Sequence, residues 1–312
     1  MPNRPAGSRR PSPRGPVGPP PPGRPPRDHE QGIVMELCLN RGAIAPQAPH
    51  HEVVRAAADR GFRQVEMSAP HWLTALDSDP GLHALIVSDA LVPIHGSWGL
   101  RLGWDDDRFE AGLRHARVRM AAMASLGSRS GSLVLPRFAP GRTSISPAQL
   151  QDRIGRTGAQ AARNGLDLVL EFIGVGSATD EGVRSLPEAV ACAQGLGYNV
   201  GVLLDTYHWH ASNGTLSQLA QIPPDMPLIV QISDALGLPR TQLTDAMRML
   251  PGDGVIDWPP LLTALHERGY RGPLSIDAHT YLHGRSPTDA VLAAHRAGQA
   301  LLTRHPLTAG AA

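Results

Sequence analysis

From residue 33 onward the chain alternates short, almost wholly apolar runs with longer segments of helical periodicity. The runs are Ile33–Leu37, Arg63–Met67, Leu91–His95, Ser132–Leu135, Asp167–Phe172, Val200–Asp205, Leu228–Ile232 and Leu274–Asp277. Most are apolar on both faces rather than alternating, as expected of parallel strands covered on both sides. Eight such runs with helical spacers is the count for a single α/β domain, a (β/α)8 TIM barrel, assigned to residues 32–305. Helix punctuation agrees. Ser146-Pro147 and Ser286-Pro287 each place a capping serine before a first-turn proline, and Ser185 with Glu188 has capping-box spacing. Asn164-Gly165 and Gly269 stand where helices should stop. Asp107–Gly127 is expected to be the longest helix, with Phe109, Leu113, Met120 and Met123 inward as core filler. Asp77–Gly81 interrupts the helix that follows His71.

Composition changes the picture at the N-terminus. Residues 1–27 hold eleven prolines and six arginines, with Val17 the one large aliphatic. Such a stretch buries too little apolar surface to offset its ordering entropy, so residues 1–31 read as a disordered tail and 306–312 as a flexible end. The tail is expected to be a solvated extension ahead of an internal start at Met35, an expectation that an intact mass checks. It also carries the positive charge: the chain's net charge is +1, and six arginines against Asp28 and Glu30 leave the rest net negative. That argues against a nucleic-acid surface on the barrel. No run approaches the roughly 20 apolar residues needed to span a bilayer, and the tail lacks the apolar segment of a secretory signal. Cys38 and Cys192 form no metal or redox pair, which suits a reducing cytoplasm. Every basic side chain is arginine; with no lysine, Schiff-base catalysis and a phosphate-loop lysine are excluded.

Several apolar strands end in a group that is costly to bury: Glu171, Asp205, Gln231 and Asp277 close the fifth to eighth runs. In a (β/α)8 barrel the chemistry lies at the C-terminal strand ends, so these four side chains should converge around one axis. Clustered carboxylates repel and are expensive to desolvate, so something cationic should hold them. Three carboxylates and an amide oxygen form a hard ligand set, favouring Mn²⁺ or Mg²⁺ over Zn²⁺. His208 lies three residues beyond Asp205, with His210 beyond it. Arg248 stands in the long loop after the seventh run, where it could fork onto a substrate carboxylate or brace the loop. Glu36, Glu66 and His95 lie at or near strand ends and are candidates for the pocket wall.

These residues, in this order, resemble the xylose-isomerase-like barrel superfamily, the sugar phosphate isomerase/epimerase group, from about Ile33 to Leu302. The elements that carry the resemblance are Glu171, the Asp205-Thr-Tyr-His208 run and the Gln231-Ile-Ser-Asp234 strand. The Arg248-Met-Leu-Pro-Gly-Asp-Gly-Val-Ile-Asp-Trp258 loop and Leu274-Ser-Ile-Asp277 complete them. The resemblance implies a divalent metal, Mn²⁺ or Mg²⁺ with Co²⁺ a further candidate, held by Glu171, Asp205, Gln231 and Asp277. It implies Glu171 and Asp277 as the acid/base pair, His208 as a catalytic group, and His208 and Arg248 as groups that hold substrate oxygens, with Glu66 and His95 lining the pocket. The implied reaction is α-proton abstraction from a ketose or related α-hydroxy carbonyl compound, with a metal-stabilised enediolate. The substrate is then a small sugar or polyol-derived molecule, and the assembly suggested by many relatives is a homodimer. The chain departs from the pattern twice. Gln231 stands where ketose epimerases usually have His, as in hydroxypyruvate-isomerase-like and 3-dehydroshikimate-dehydratase-like members. Asp277 stands where the family usually places Glu, one methylene longer; His279, two residues on, is a candidate to compensate.

A metal-dependent lyase resembling 3-dehydroshikimate dehydratase shares the proton abstraction but then expels β-hydroxide. A non-catalytic sugar-binding barrel draws support from Asp277 but is opposed by the retained Glu171, Asp205 and His208. An endonuclease-IV-like activity would need more His/Glu ligands and a basic face than the barrel segment supplies.

Overall fold

Eight parallel strands form the barrel of the computed structural model, which describes residues 35–306 except 142–144, 178, 279–281 and 283. In chain order they are β1 (Leu37–Asn40), β2 (Gln64–Glu66), β3 (Val92–His95), β4 (Ser130–Val134), β5 (Asp167–Glu171), β6 (Val200–Asp205), β7 (Leu228–Ile232) and β8 (Leu274–Ile276). The expected tail, the stretch 32–34, His279 and residues 307–312 lie outside the described residues. Ladders run from β3 through β2, β1, β8, β7, β6 and β5 to β4. Between β3 and β4 there is no ladder among the described residues, and longer bonds close the ring there. Arg129 N donates to Ile94 O at 3.5 Å and Ser132 N to Gly96 O at 3.4 Å.

The strands are short and buried on both faces because helices cover them outside and their inward side chains fill the barrel. Leu168, Val169 and Leu170 of β5 and Val202, Leu203 and Leu204 of β6 are all inaccessible. The expected helix signals act as written. Asp106–Ser125 buries Phe109, Leu113, Met120 and Met123, and the N-terminal Asp105 side chain accepts from Arg108 N. Ser146 and Gln149 form a reciprocal capping box, and Glu188 accepts from Ser185 N at 3.0 Å. Gly165 and Gly269 take φ values of +69° and +82° at helix stops, a conformation that costs glycine little. The interruption at Asp77–Gly81 separates the helices Ala69–Ser78 and Gly81–Val87.

One expectation is corrected. The first strand begins at Leu37, where the apolar run ends, so Asn40 rather than Leu37 closes it. Glu36 therefore sits at the N-terminal end of the barrel, away from the mouth. There it is exposed and accepts from Gln64 Nε2 at 2.7 Å, so it is not a pocket wall. Within the long loop after β7, Asp234–Ala235 pairs antiparallel with Arg248–Met249. Among the described residues no helix is long and apolar enough to cross a membrane.

Candidate active site

β5 and β6 place Glu171 and Asp205 at their last positions, and the helix Thr206–Ala211 starts directly after β6. Asp205 caps that helix: its Oδ1 accepts from Tyr207 N at 2.8 Å and from His208 N at 3.2 Å. One carboxylate therefore ends a strand, satisfies orphan helix donors and aims His208 back at the barrel axis. The helix can approach because Gly174, in the segment after β5, has no side chain; a Cβ there would lie 2.0 Å from His208 O. Potential ligand atoms of Glu171, Asp205 and His208 lie within 4.8 Å of one another. Gln231 sits beside Asp205 in the β6–β7 register, with Ser275 of β8 on its other side.

Arg248 is the hub of the cluster. Its Nη1 donates to Asp205 Oδ2 at 2.7 Å and to Ser233 Oγ at 3.1 Å, and lies 3.3 Å from Asp277 Oδ2. Its Nε donates to Asp245 Oδ1 at 2.9 Å, and its Nη2 reaches Asp245 Oδ1 at 2.9 Å and His208 Nε2 at 3.0 Å. Burial alone would make the guanidinium easier to deprotonate, but Asp205, Asp277 and Asp245 more than offset this and raise its pKa. Of the two expectations for Arg248, the geometry fits the bracing one: the side chain is 2% exposed and its donors are turned to protein acceptors.

One of those groups is His208. A guanidinium has no acceptor, so His208 Nε2 must accept from Arg248, which leaves the ring proton on Nδ1. Nδ1 is buried and has no protein partner. Burial, and after it Arg248, lowers the His208 pKa despite Asp205, Asp245 and Asp277, so the ring is neutral. The site therefore presents a neutral N–H donor of fixed tautomer.

The carboxylates exceed the positive charge that faces them. Glu66, Glu171, Asp205 and Asp277 converge, and Arg248 is the cation the protein sets against them. Burial, then Asp205 and Asp277, pushes the Glu171 carboxyl well above its usual range, although the residue as a whole stays partly exposed. Burial, with Asp277 and Asp205, raises Glu66 to about 7, against the pull of Ser275 and Gln231. Glu66 Oε1 accepts from Gln231 Nε2 at 2.6 Å, and Gln231 Oε1 is left buried with no partner. An acid-rich, oxygen-donor cavity with an orphaned amide oxygen fits a divalent cation.

The expected ligands are brought to one end of the barrel, with differences of detail. His208 completes the close trio with Glu171 and Asp205, while Asp277 lies against Arg248. Expected to line the pocket, His95 faces the β3–β4 seam. Its Nδ1 is 3.0 Å from Ser130 Oγ, its Nε2 is buried without a partner, and burial lowers its pKa to about 3. His210 is only partly buried and takes no place in the cluster. Sequence reasoning missed Asp245 and the role of Asp234. The Asp234 carboxylate accepts from Gly252 N and Ile256 N, each at 2.9 Å, and from Trp258 Nε1 at 2.7 Å. It ties down the loop that delivers Arg248. The one signal for it was an acid two residues beyond the apolar strand β7, inside the quoted Gln231–Asp234 run.

Comparisons with known proteins agree with this architecture. The model of the xylose isomerase-like TIM barrel family matches residues 54–301. Inosose isomerase of Halalkalibacterium halodurans is 32% identical over 114 residues, which is 36% of this chain and 39% of the relative. The 3-dehydroshikimate dehydratase of Pseudomonas aeruginosa is 26% identical over 251 residues, which is 77% of this chain and 37% of the relative. The chain thus spans less than two fifths of the length of these two curated relatives. A xylose isomerase domain protein of Alicyclobacillus acidocaldarius superposes with a TM-score of 0.75 at 24% identity, covering 86% of this chain and all but 1% of that one, whose coverage is 99%. The zinc-bound IolI protein superposes with a TM-score of 0.72 at 21% identity, covering 88% of this chain and 100% of that one. At these identities the structural likenesses speak to the fold. With the family model spanning nearly all of the barrel, the chain belongs to the xylose isomerase-like TIM barrel family.

Proposed function

We propose that the protein is a divalent-metal-dependent isomerase or epimerase acting on a ketose or a related α-hydroxy carbonyl compound derived from a sugar or polyol. The observation that carries this reading is the convergence of Glu171, Asp205 and His208, within 4.8 Å of one another, at the mouth of the barrel. Glu171, Asp205, Gln231 and Asp277 would hold the ion, and the oxygen-rich set suits Mn²⁺ or Mg²⁺. When bound, such an ion supplies Lewis-acid polarisation of a carbonyl and its neighbouring hydroxyl. The chain's own groups supply the rest. Glu171, at the last position of β5 and partly exposed at the mouth, is the base that would take the α-proton. His208 Nδ1–H donates to the substrate oxygen on which charge develops, in the tautomer that Arg248 fixes. Asp277, just past the end of β8, is the second carboxyl group that would return a proton.

The test is solvent exchange. With Mn²⁺ present in D2O, a panel of ketoses and inososes should include at least one that gains deuterium at its α-carbon. Glu171→Gln should slow that exchange at least 100-fold, on the scale typical for removing a general base. No exchange across the panel would sink the isomerase reading.

Two observations favour a lyase as the second reading. The dehydratase match covers 77% of the chain, and Gln231 stands where ketose epimerases usually have His. The same proton abstraction would then be followed by loss of the β-hydroxyl as water. Growth of an aromatic ultraviolet band on adding 3-dehydroshikimate would select it, and a flat trace would exclude it.

A further inference from the structure

Gln231 and Glu66 lie far apart in sequence and on opposite sides of β1 and β8, yet their side chains meet inside the barrel at 2.6 Å. Both are 5% exposed. In its ionised form Glu66 offers only acceptors, whereas a primary amide has one donor end and one acceptor end. Contact with Glu66 therefore settles which way the Gln231 amide faces. Its NH2 turns to Glu66, and its Oε1 is left on the other side, buried with no partner. A free glutamine amide in a site crowded by Asp205 and Asp277 would do the reverse. Carboxylates attract the NH2 end, and an amide so turned presents hydrogens, not an oxygen, to a cation.

We propose that Glu66 is the positioning residue that makes Gln231 a metal ligand. By holding the amide nitrogen it presents Oε1 to the ion, so that β7 can use glutamine at a ligand position. The inference rests on the metal-site reading above and assigns Glu66 a role other than lining the pocket.

The experiment is calorimetric titration of the EDTA-stripped full chain with MnCl2. It compares wild type with Glu66→Leu, Glu66→Gln, Gln231→Leu and the Glu66→Leu/Gln231→Leu double variant. Thermal unfolding of each without metal checks folding. Glu66→Leu should weaken Mn²⁺ binding about 10- to 100-fold, the usual range for losing the group that orients a ligand. Glu66→Gln removes the same negative charge but keeps an acceptor for the Gln231 NH2, so it should stay within a few-fold of wild type. The double variant should bind no more weakly than Gln231→Leu alone, because Glu66 acts through Gln231. Three outcomes overturn the inference and leave the metal site standing: wild-type affinity in Glu66→Leu, equal weakness in Glu66→Gln and Glu66→Leu, or additive losses in the double variant. Absence of binding by the wild type overturns the metal site itself, and the inference with it. Should Glu66→Leu fail to fold, the Glu66→Gln result still decides between charge and positioning.

Discussion

At the scale of single residues, Arg248 does what the clustered acids led one to expect of a metal, in part. Its guanidinium lies 2.7 Å from Asp205 and 3.3 Å from Asp277 and fixes the tautomer of His208. Removing one member of a buried charge cluster leaves the others uncompensated, which costs on the order of 3–5 kcal/mol. Arg248→Met should therefore lower the unfolding free energy of the metal-stripped protein by about that much in urea titrations. Arg248→Lys should recover little, because an ammonium cannot span Asp205, His208 and Asp245 as a planar fork does. Wild-type stability in Arg248→Met would show that the carboxylates are not held by this arginine. Here the sequence was only half legible. The arginine and its loop stood out, but whether it faced substrate or protein depended on a loop path that no local pattern encodes.

At the scale of elements, the ribbon of Asp234–Ala235 with Arg248–Met249 decides where Arg248 goes. Asp234 is fully buried and holds the returning loop by bonds to Gly252, Ile256 and Trp258. Asp234→Ala strands these donors, at on the order of 1–3 kcal/mol for each one that finds no water. The expected result is a loss of stability together with a fall in activity toward that of Arg248→Met, since the same hub is displaced. Full activity with reduced stability would confine Asp234 to a structural role. Strand and helix positions were mostly readable because burial on both strand faces and capping chemistry are local signals. The ribbon was not, because its two two-residue strands are too short to carry a pattern of their own.

At the scale of the whole molecule, the barrel is least regular where β3 meets β4, and His95 spans that seam through Ser130. A histidine ordinarily takes up a proton near 6.5, but burial holds His95 at about 3. Between those values the unfolded chain binds a proton that the folded barrel does not, so this residue's contribution to stability is present above about 6.5 and lost as pH falls toward 3. Denaturant unfolding at neutral pH and near pH 4.5 should therefore show a steeper acid loss in wild type than in His95→Gln. Parallel losses would show that the seam histidine is not the acid-sensitive group.

By itself the sequence determined the number of strands, the order of the ligand-type residues along them and the barrel end at which they gather. Period, capping and strand-end position are properties of short stretches of chain, and a closed barrel leaves few other ways to arrange them. Tertiary structure decided the partnerships: Glu66 with Gln231, Arg248 with Asp205, His208 and Asp245, and His95 with Ser130. Glu66 meets Gln231 across a gap of 165 residues. Such contacts depend on strand stagger around the ring and on the path of the loop after β7, neither of which is carried by the residues that finally touch.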